Sequence, residues 1–321
     1  MDAVEVVRRL GGTAEYESVV AHSTRASLRR AVAEGLLLRP SRGVYAVPEL
    51  SVATTAAAAS RGVLSHTTAA GRYGLALATA PSLVHVTVPP GARPRPLDGV
   101  RLHWSALRPD EVVGGLTSVL RTVLDCAVTL PFDEALAVAD SALGERLLTV
   151  SELLVAAQKE PLRRRGRCVK VAHAADGGAQ TLFESCTRAV LLDGGIRDLR
   201  TQHAVLLPAF TAHVDIADPR RRIAVEAESY EYHSDRQAFA RDCERYSELA
   251  AADWLVLRFT WNQVRFRPDW VVDVVRRTQA LRQPQVRRYL ATPRPRTGVS
   301  SSNDETVARR AGSAPTDSLT R

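Results

Sequence analysis

Cysteine is scarce in this chain, which contains four in 321 residues: Cys126, Cys168, Cys186 and Cys243. The four lie far apart, and no two of them form a CxxC pair. The spacing therefore predicts neither a disulfide framework nor a zinc site. Scattered free thiols are typical of a reducing cytoplasm, which is where we expect the protein to be located.

Long apolar segments are lacking as well. The N-terminal stretch MDAVEVVRRLGG carries acidic residues and has no apolar run of signal-peptide length. No segment reaches the roughly 18–20 consecutive apolar residues that a membrane helix requires. We therefore expect a protein without a membrane partner.

Charge and apolar content favour a globular chain with polyanionic partners. The formal net charge is +8, and the isoelectric point is about 9.8. Hydrophobic residues make up 45% of the chain, which is enough to bury a core. A basic balance favours nucleic acid as a partner, and the length predicts two or three domains.

Residues 1–48 have the pattern of three short helices followed by two strands joined by a basic turn. The second helix is predicted over 14–21, and Thr24 can cap the third. The stretch SLRRAVAEGLLLRPSRGVYAVPE resembles the winged-helix domain of type IV (abortive-infection) antitoxin proteins. This resemblance implies DNA binding and, for an antitoxin, a cognate toxin as a second partner.

The charged and polar residues of this N-terminal module suit DNA. In a winged helix the third helix enters the major groove, and the wing tip meets phosphate. The predicted DNA-binding residues lie on those two elements: Thr24, Arg25, Arg29, Arg39 and Arg42. One alternative is that the module mediates protein contacts, as winged helices also do. Another is that these arginines belong to an ordinary solvated face of the helix.

Residues 49–160 are predicted to form a small α+β unit that joins the two ends of the chain. Its histidines on predicted strands are interpreted as structural, and Asp125 and Asp140 as capping or surface groups. Ser65 and His66 are not taken as a catalytic dyad, because adjacent side chains generally point apart. Residues 161–178 are predicted to be a basic linker, and residues 283–321 a disordered tail.

Residues 179–282 carry the clearest chemical pattern. In VDIADPRRRIAVEAES, Asp215 ends one predicted strand, and Glu226 and Glu228 share one face of the next. Two adjacent strands can therefore cluster three carboxylates, which repel one another unless a cation lies between them. Oxygen ligands without paired cysteine or histidine suit Mg²⁺ or Mn²⁺, and we assign Asp215 and Glu226 as metal ligands.

The order of elements in this segment adds a second resemblance. A helix with Glu184, strands with Asp215 and Glu226, a helix and a final strand resemble the restriction-endonuclease-like (PD-(D/E)xK) superfamily, in particular its branch related to very-short-patch-repair endonucleases. The resemblance implies an α/β core that hydrolyses DNA phosphodiester bonds with Mg²⁺. We predict four catalytic residues: Glu226, Glu228, Glu184 as a further acid near the ion, and His233 as general base, because the unperturbed pKa of histidine lies near neutrality.

One departure from the superfamily keeps an alternative open. Its usual Glu-x-Lys lysine is replaced here by Glu228, which favours a non-catalytic transcriptional regulator or antitoxin with an inactive nuclease-like domain. A repair enzyme that recognises damaged or mismatched DNA is a further alternative. Several residues are predicted to bind phosphate or to be structural: Arg188, Arg241, Asp242, Arg245 and Arg258. The overall expectation is a multi-domain α+β protein.

Overall fold

The described residues of this computed structural model are 1–228 and 236–282, with the backbone alone for 236–239. They form a mixed α+β structure with three sheets, which confirms the expected fold class at that level. No helix in these ranges is both long enough and apolar enough to cross a membrane.

The helices are α1 (Ala3–Arg9), α2 (Tyr16–Val20), α3 (Arg25–Ala33), α4 (Val52–Ser60), α5 (His66–Arg72), α6 (Val119–Thr129), α7 (Phe132–Gly144), α8 (Val150–Lys159), α9 (Leu162–Ala174), α10 (Leu182–Asp193), α11 (Arg236–Ala251), α12 (Trp261–Phe266) and α13 (Pro268–Leu281). The strands are β1 (Thr13–Glu15), β2 (Leu38–Ser41), β3 (Val44–Ala46), β4 (Val63–Leu64), β5 (Val84–Val88), β6 (Val100–Trp104), β7 (Val112–Val113), β8 (Leu116–Thr117), β9 (Arg200–Leu206), β10 (Thr211–Asp218), β11 (Ile223–Glu228) and β12 (Leu255–Thr260).

The N-terminal part packs α1, α2 and α3 against a small sheet of order β1-β3-β2. Thr24 caps α3 as predicted, since its hydroxyl accepts the N–H of Ser27 at 3.1 Å. The helix predicted over 14–21 was too long at its start, because Thr13–Glu15 is strand β1. That strand pairs with Val44–Ala46, a partner about thirty residues away that local periodicity does not reveal.

The middle part combines a sheet of order β6-β5-β4-β8-β7 with a helical core. The alternation of apolar and polar residues predicts a strand over Ser82–Val88, and a second strand is predicted over Val100–Trp104. Strand β6 has these bounds, and β5 begins two residues later than predicted. The helices α6 to α9 bury an apolar core that includes Val123, Leu136 and Leu153.

The segment predicted as a basic linker, 161–178, is mostly helix α9. This prediction was wrong because the arginines conceal an apolar stripe at helical spacing: Cys168, Val171 and Ala172 are all buried. The helix is also tied down by charge. Arg164 donates to Asp125 at 2.6 Å and to Glu160 at 2.5 Å.

The prediction that Asp125 and Asp140 are capping or surface groups was also wrong, since both are buried. Asp125 pairs with Arg121 at 2.6 Å as well as with Arg164. Asp140 accepts the guanidinium of Arg188 at 2.6 Å and the hydroxyl of Ser185 at 2.7 Å. Carboxylates at helix positions are stable in a core only with such partners, because burial removes their hydration.

The C-terminal sheet has the order β12-β11-β10-β9. Its first three strands along the chain are antiparallel neighbours, and β12 returns parallel to β11. One face carries Ile216 and Val225 against α10, α12 and α13. The other face carries Ala224 against α11, where Leu249 is fully buried. Strand β11 is therefore central, with apolar packing on both of its faces.

Breaking the Asp140–Arg188 pair tests how far the structure depends on it. We expect Asp140→Ala to lower the free energy of unfolding by about 3–5 kcal/mol, because it leaves the Arg188 charge buried without its partner. Urea unfolding followed by circular dichroism measures the loss. Glu5→Ala is the control, since it removes an exposed ion pair with Arg9 and should cost less than about 1 kcal/mol. Equal losses in the two variants would contradict the expectation.

Candidate active site

Asp215 and Glu226 are brought together by neighbouring strands. Strands β10 and β11 run antiparallel with Ile216 opposite Val225, so Asp215, one residue before Ile216, lies across from Glu226, one residue after Val225. The N–H of Ala227 donates to Oδ2 of Asp215 at 2.9 Å. The structure therefore joins the two acids that the sequence pattern assigned to one metal site.

Glu226 is buried and bonded to an arginine. Its Oε1 accepts Nη2 of Arg245, on α11, at 2.7 Å, and only 4% of the residue is exposed. The same guanidinium nitrogen donates to the carbonyl of His213 at 2.8 Å. Burial and the charge of Asp215 together raise the pKa of Glu226 to about 7, and Arg245 offsets only part of this shift.

Asp215 is perturbed in the same direction. Burial is the main cause that raises its pKa to about 6. The N–H of Ala227 acts against this shift, whereas the negative charge of Glu184 adds to it. Two adjacent acids that both resist ionisation form an electrostatically unfavourable pair, which a bound cation would relieve.

Glu184 reaches the pair through a glutamine. It lies in the first turn of α10, where it accepts the N–H of Gln180 at 2.9 Å and the hydroxyl of Thr181 at 3.1 Å. The amide of Gln202, on β9, donates to Glu184 at 2.9 Å and lies 3.4 Å from Asp215 Oδ1. Glu184 thus holds Asp215 indirectly, through Gln202.

Gln202 was missed in the sequence. Its backbone has φ +43°, in the left-handed region that residues other than glycine rarely adopt. Backbone strain of this kind clusters at functional sites, where the surrounding contacts hold it in place. No sequence signal identifies it, because a glutamine on a strand ordinarily has extended backbone angles.

Glu228 has its own basic partner. Arg258 lies on β12, and its Nε donates to Oε2 of Glu228 at 2.8 Å. The hydroxyl of Tyr246 lies 3.5 Å from the same carboxylate, and the Arg258 guanidinium lies 4.5 Å from the Tyr246 ring centroid. Burial, followed by the charges of Glu226 and Glu228, raises the pKa of Tyr246 to about 12.

The other predicted site residues are distributed as follows. Arg188 is buried in its pair with Asp140 and does not face this site. Arg241 is exposed on α11, one turn before Arg245, and Asp242 is half-buried beside it. His233, the predicted general base, lies outside the described residues.

The acids do not form a compact set of three ligands in the described part of the chain. The side chains there that bring three ligand atoms within 4.8 Å of one another belong to three histidines: His66, His85 and His103. At the acidic site the close pair is Asp215 and Glu226, and Glu228 is paired with Arg258.

The predicted DNA-binding arginines are all exposed. Arg25 and Arg29 lie on α3, Arg39 lies on β2, and Arg42 lies in the turn before β3. Within residues 1–228 and 236–282, none of these four forms a salt bridge. Their charges are therefore available to an external anion, whereas the hydroxyl of Thr24 is used in the helix cap.

Two related proteins show the family of this chain, although no known family model matches it. It is 31% identical over 258 residues to the uncharacterized protein MT2308 of Mycobacterium tuberculosis strain CDC 1551 / Oshkosh, over 76% of this chain and 93% of that protein. The uncharacterized protein Rv2248 of strain ATCC 25618 / H37Rv matches with the same identity and coverage. The chain belongs to the family of these two proteins.

A solved structure shows a weaker likeness. The crystal structure of the RV2827C protein from Mycobacterium tuberculosis has a TM-score of 0.34 and 12% sequence identity. The match covers 64% of this chain and 87% of that chain.

The Asp215–Glu226 pair should make the free energy of unfolding of this protein depend on pH. The pKa values of Asp215 and Glu226, about 6 and about 7, lie above their ordinary values of 3.8 and 4.5. The folded state therefore binds more protons between about pH 4 and pH 7, and the pair lowers stability as pH rises through this range. Relative to an Asp215→Asn, Glu226→Gln double variant, we expect wild type to lose about 4 kcal/mol between pH 5 and pH 8.

Chemical unfolding at each pH, without added metal, measures this difference. Glu244→Gln is the matched control, because Glu244 is exposed on the same helix as Arg245. Parallel pH profiles for wild type and the double variant would show that the acid pair carries no electrostatic strain.

Proposed function

We propose that this protein binds DNA through residues 1–48 and hydrolyses DNA phosphodiester bonds at the Asp215–Glu226 pair with Mg²⁺ or Mn²⁺. The observation that carries the proposal is the juxtaposition of these two acids, on neighbouring strands, with pKa values of about 6 and about 7. Perturbed acids that face one another are characteristic of metal and catalytic sites.

The order of the elements supports the nuclease assignment. Glu184 lies on α10, Asp215 on β10, Glu226 and Glu228 on β11, and then α11 and β12 follow. This is the order that the restriction-endonuclease-like resemblance requires. It supports a nuclease-like core for residues 179–282, related to the very-short-patch-repair branch.

The donor chemistry fits the proposed ion. Mg²⁺ in proteins is commonly held by one or two carboxylates, with water and substrate phosphate as its other ligands. Asp215 and Glu226 supply two such carboxylates. When bound, the cation would polarise the phosphodiester and stabilise the leaving oxygen.

The protein's own residues then have separate tasks. Gln202, anchored by Glu184, orients the carboxylate of Asp215. Arg245 neutralises Glu226 when no cation is present. Arg258, whose side chain is 39% exposed, is placed to bind a substrate phosphate beside Glu228. His233 remains the predicted general base.

The N-terminal part supports the DNA-binding half of the proposal. Three helices and a small sheet end in the β2–β3 hairpin, and this order of elements supports the winged-helix assignment. Helix α3 and the hairpin present exposed arginines without salt bridges in the described structure. Such charges bind the DNA backbone by releasing counterions. An antitoxin of this type would also bind a cognate toxin.

A second candidate function is a non-catalytic DNA-binding regulator or antitoxin. The observation that favours it is the pairing of acids with arginines: Arg245 with Glu226 at 2.7 Å and Arg258 with Glu228 at 2.8 Å. Arginines in these positions neutralise the acids without a metal ion. The superfamily's lysine is also absent at Glu228, so residues 179–282 would then serve contacts rather than hydrolysis.

Cleavage assays separate the two functions. With Mg²⁺ or Mn²⁺ we expect wild type to cleave at least one of four substrates: supercoiled, linear, mismatched or single-stranded DNA. Glu226→Gln should lower the rate at least about 100-fold, because it removes a charged ligand of the cation. Chelation should abolish cleavage, and the control Glu244→Gln should retain it. Absence of cleavage together with intact DNA binding would favour the regulator.

DNA binding by the N-terminal part predicts a change in salt dependence. We expect Arg25→Ala and Arg29→Ala each to weaken duplex binding and to reduce the slope of log affinity against log salt by about 0.9 for each phosphate that is no longer neutralised. Fluorescence anisotropy over a salt series measures both effects. Arg277→Ala is the control, because Arg277 is paired with Asp273 on α13. A slope equal to that of wild type would argue against this surface.

A further inference from the structure

Three histidines from different elements meet in the middle part of the chain. His66 begins α5, His85 lies on β5 and His103 lies on β6. Nε2 of His103 is 3.0 Å from Nδ1 of His85, and the rings of His66 and His103 stack with centroids 3.6 Å apart. One ligand nitrogen from each residue lies within 4.8 Å of the other two.

We propose that His66, His85 and His103 bind one Zn²⁺ ion, with water in a fourth position that faces a cavity. Three imidazole nitrogens with one open position are a common set of zinc ligands. Imidazole nitrogen is a better ligand for Zn²⁺ than for Mg²⁺, because Mg²⁺ prefers oxygen ligands. This site is separate from the Asp215–Glu226 pair and does not rest on the proposed nuclease.

The strands position two of the ligands. In the parallel ladder His85 pairs with Arg101 and Thr87 pairs with His103, so the two histidines lie on one face, two residues apart in register. With Zn–N distances of about 2.0–2.1 Å, tetrahedral ligands lie about 3.4 Å apart. The closest nitrogen pair therefore needs to open by about 0.4 Å, and the stacked rings of His66 and His103, 19° apart in plane, need to tilt so that their lone pairs converge on one ion.

The backbone at His66 is strained in a way that serves the cluster. Its φ is +53°, in the left-handed region, and the residue is buried. Adjacent side chains were expected to point apart, but this conformation places His66 Nδ1 2.8 Å from the hydroxyl of Ser65. The strained residue, His66, is therefore also the one whose ring stacks on the ring of His103, another candidate ligand.

A second layer of hydrogen bonds orients that ring. Thr87 donates its hydroxyl proton to Ser65 at 2.8 Å, and Ser65 contacts Nδ1 of His66. With the Nδ1 proton donated to Ser65, the lone pair of Nε2 remains for a metal. Zinc-bound histidines typically hold their second ring nitrogen in this manner.

A cavity of about 500 Å³ provides access and room for the fourth ligand. His85 and His103 line it together with Thr67, Arg101 and Glu134. The metal-free alternative is a histidine pair joined by the single hydrogen bond between His85 and His103. That alternative predicts no metal affinity.

Cobalt substitution in the full-length protein tests the site. After chelation, Co²⁺ titration of wild type should produce the intense visible d–d absorption of a four-coordinate site, with an amplitude that corresponds to one such site per chain, and Zn²⁺ should abolish it. His85→Gln and His103→Gln should each weaken Co²⁺ binding at least about 100-fold. His173→Gln should bind like wild type, because His173 is exposed on α9. Circular dichroism checks that each variant is folded.

The wild-type titration decides the question even if a variant fails to fold. Absence of saturable Co²⁺ absorption, or of thermal stabilisation by Zn²⁺, would overturn the proposal. Unchanged affinity in folded His85→Gln and His103→Gln would also overturn it. The absorption of Co²⁺ is read without DNA and DNA cleavage is read separately, so a failure of the nuclease proposal is distinguishable from a failure of this one.

Discussion

The buried ion pair between Asp140 and Arg188 is the interaction on which the C-terminal half of the structure depends. It joins α7 to α10, with both side chains at 6% exposure or less. Asp140 also accepts the N–H of Asp176, and Arg188 donates to the carbonyl of Ala174. Burying two charges is costly unless they are paired and hydrogen-bonded, and these bonds hold α7, α10 and the segment between Ala174 and Asp176 together.

The candidate active site is built on that arrangement. Glu184 lies one turn before Arg188 on α10, so the ion pair sets the position of its carboxylate. Asp176 accepts the hydroxyl of Thr201 at 2.7 Å, which ties the same segment to β9. Gln202 follows Thr201 and connects Glu184 to Asp215. A continuous set of hydrogen bonds therefore runs from the buried pair to the acids.

The two candidate metal sites differ in the physical basis of their affinity. At the Asp215–Glu226 pair, burial and mutual repulsion favour a hard cation that neutralises charge. At the three histidines the affinity would come from nitrogen donors suited to zinc. The two sites therefore use different chemistry, in different parts of the fold.

The amino-acid sequence by itself determined the local features of this protein. The cap at Thr24, strands β6 and β11, and the shared neighbourhood of Asp215 and Glu226 follow from side-chain chemistry and periodicity over a few residues. Only the tertiary structure decided strand β1, the burial of Asp140, the role of Gln202 and the meeting of the three histidines. Each of these depends on partners between about twenty and fifty residues away, or on a backbone conformation that packing imposes. Periodicity reports on neighbours along the chain and contains no information about such partners.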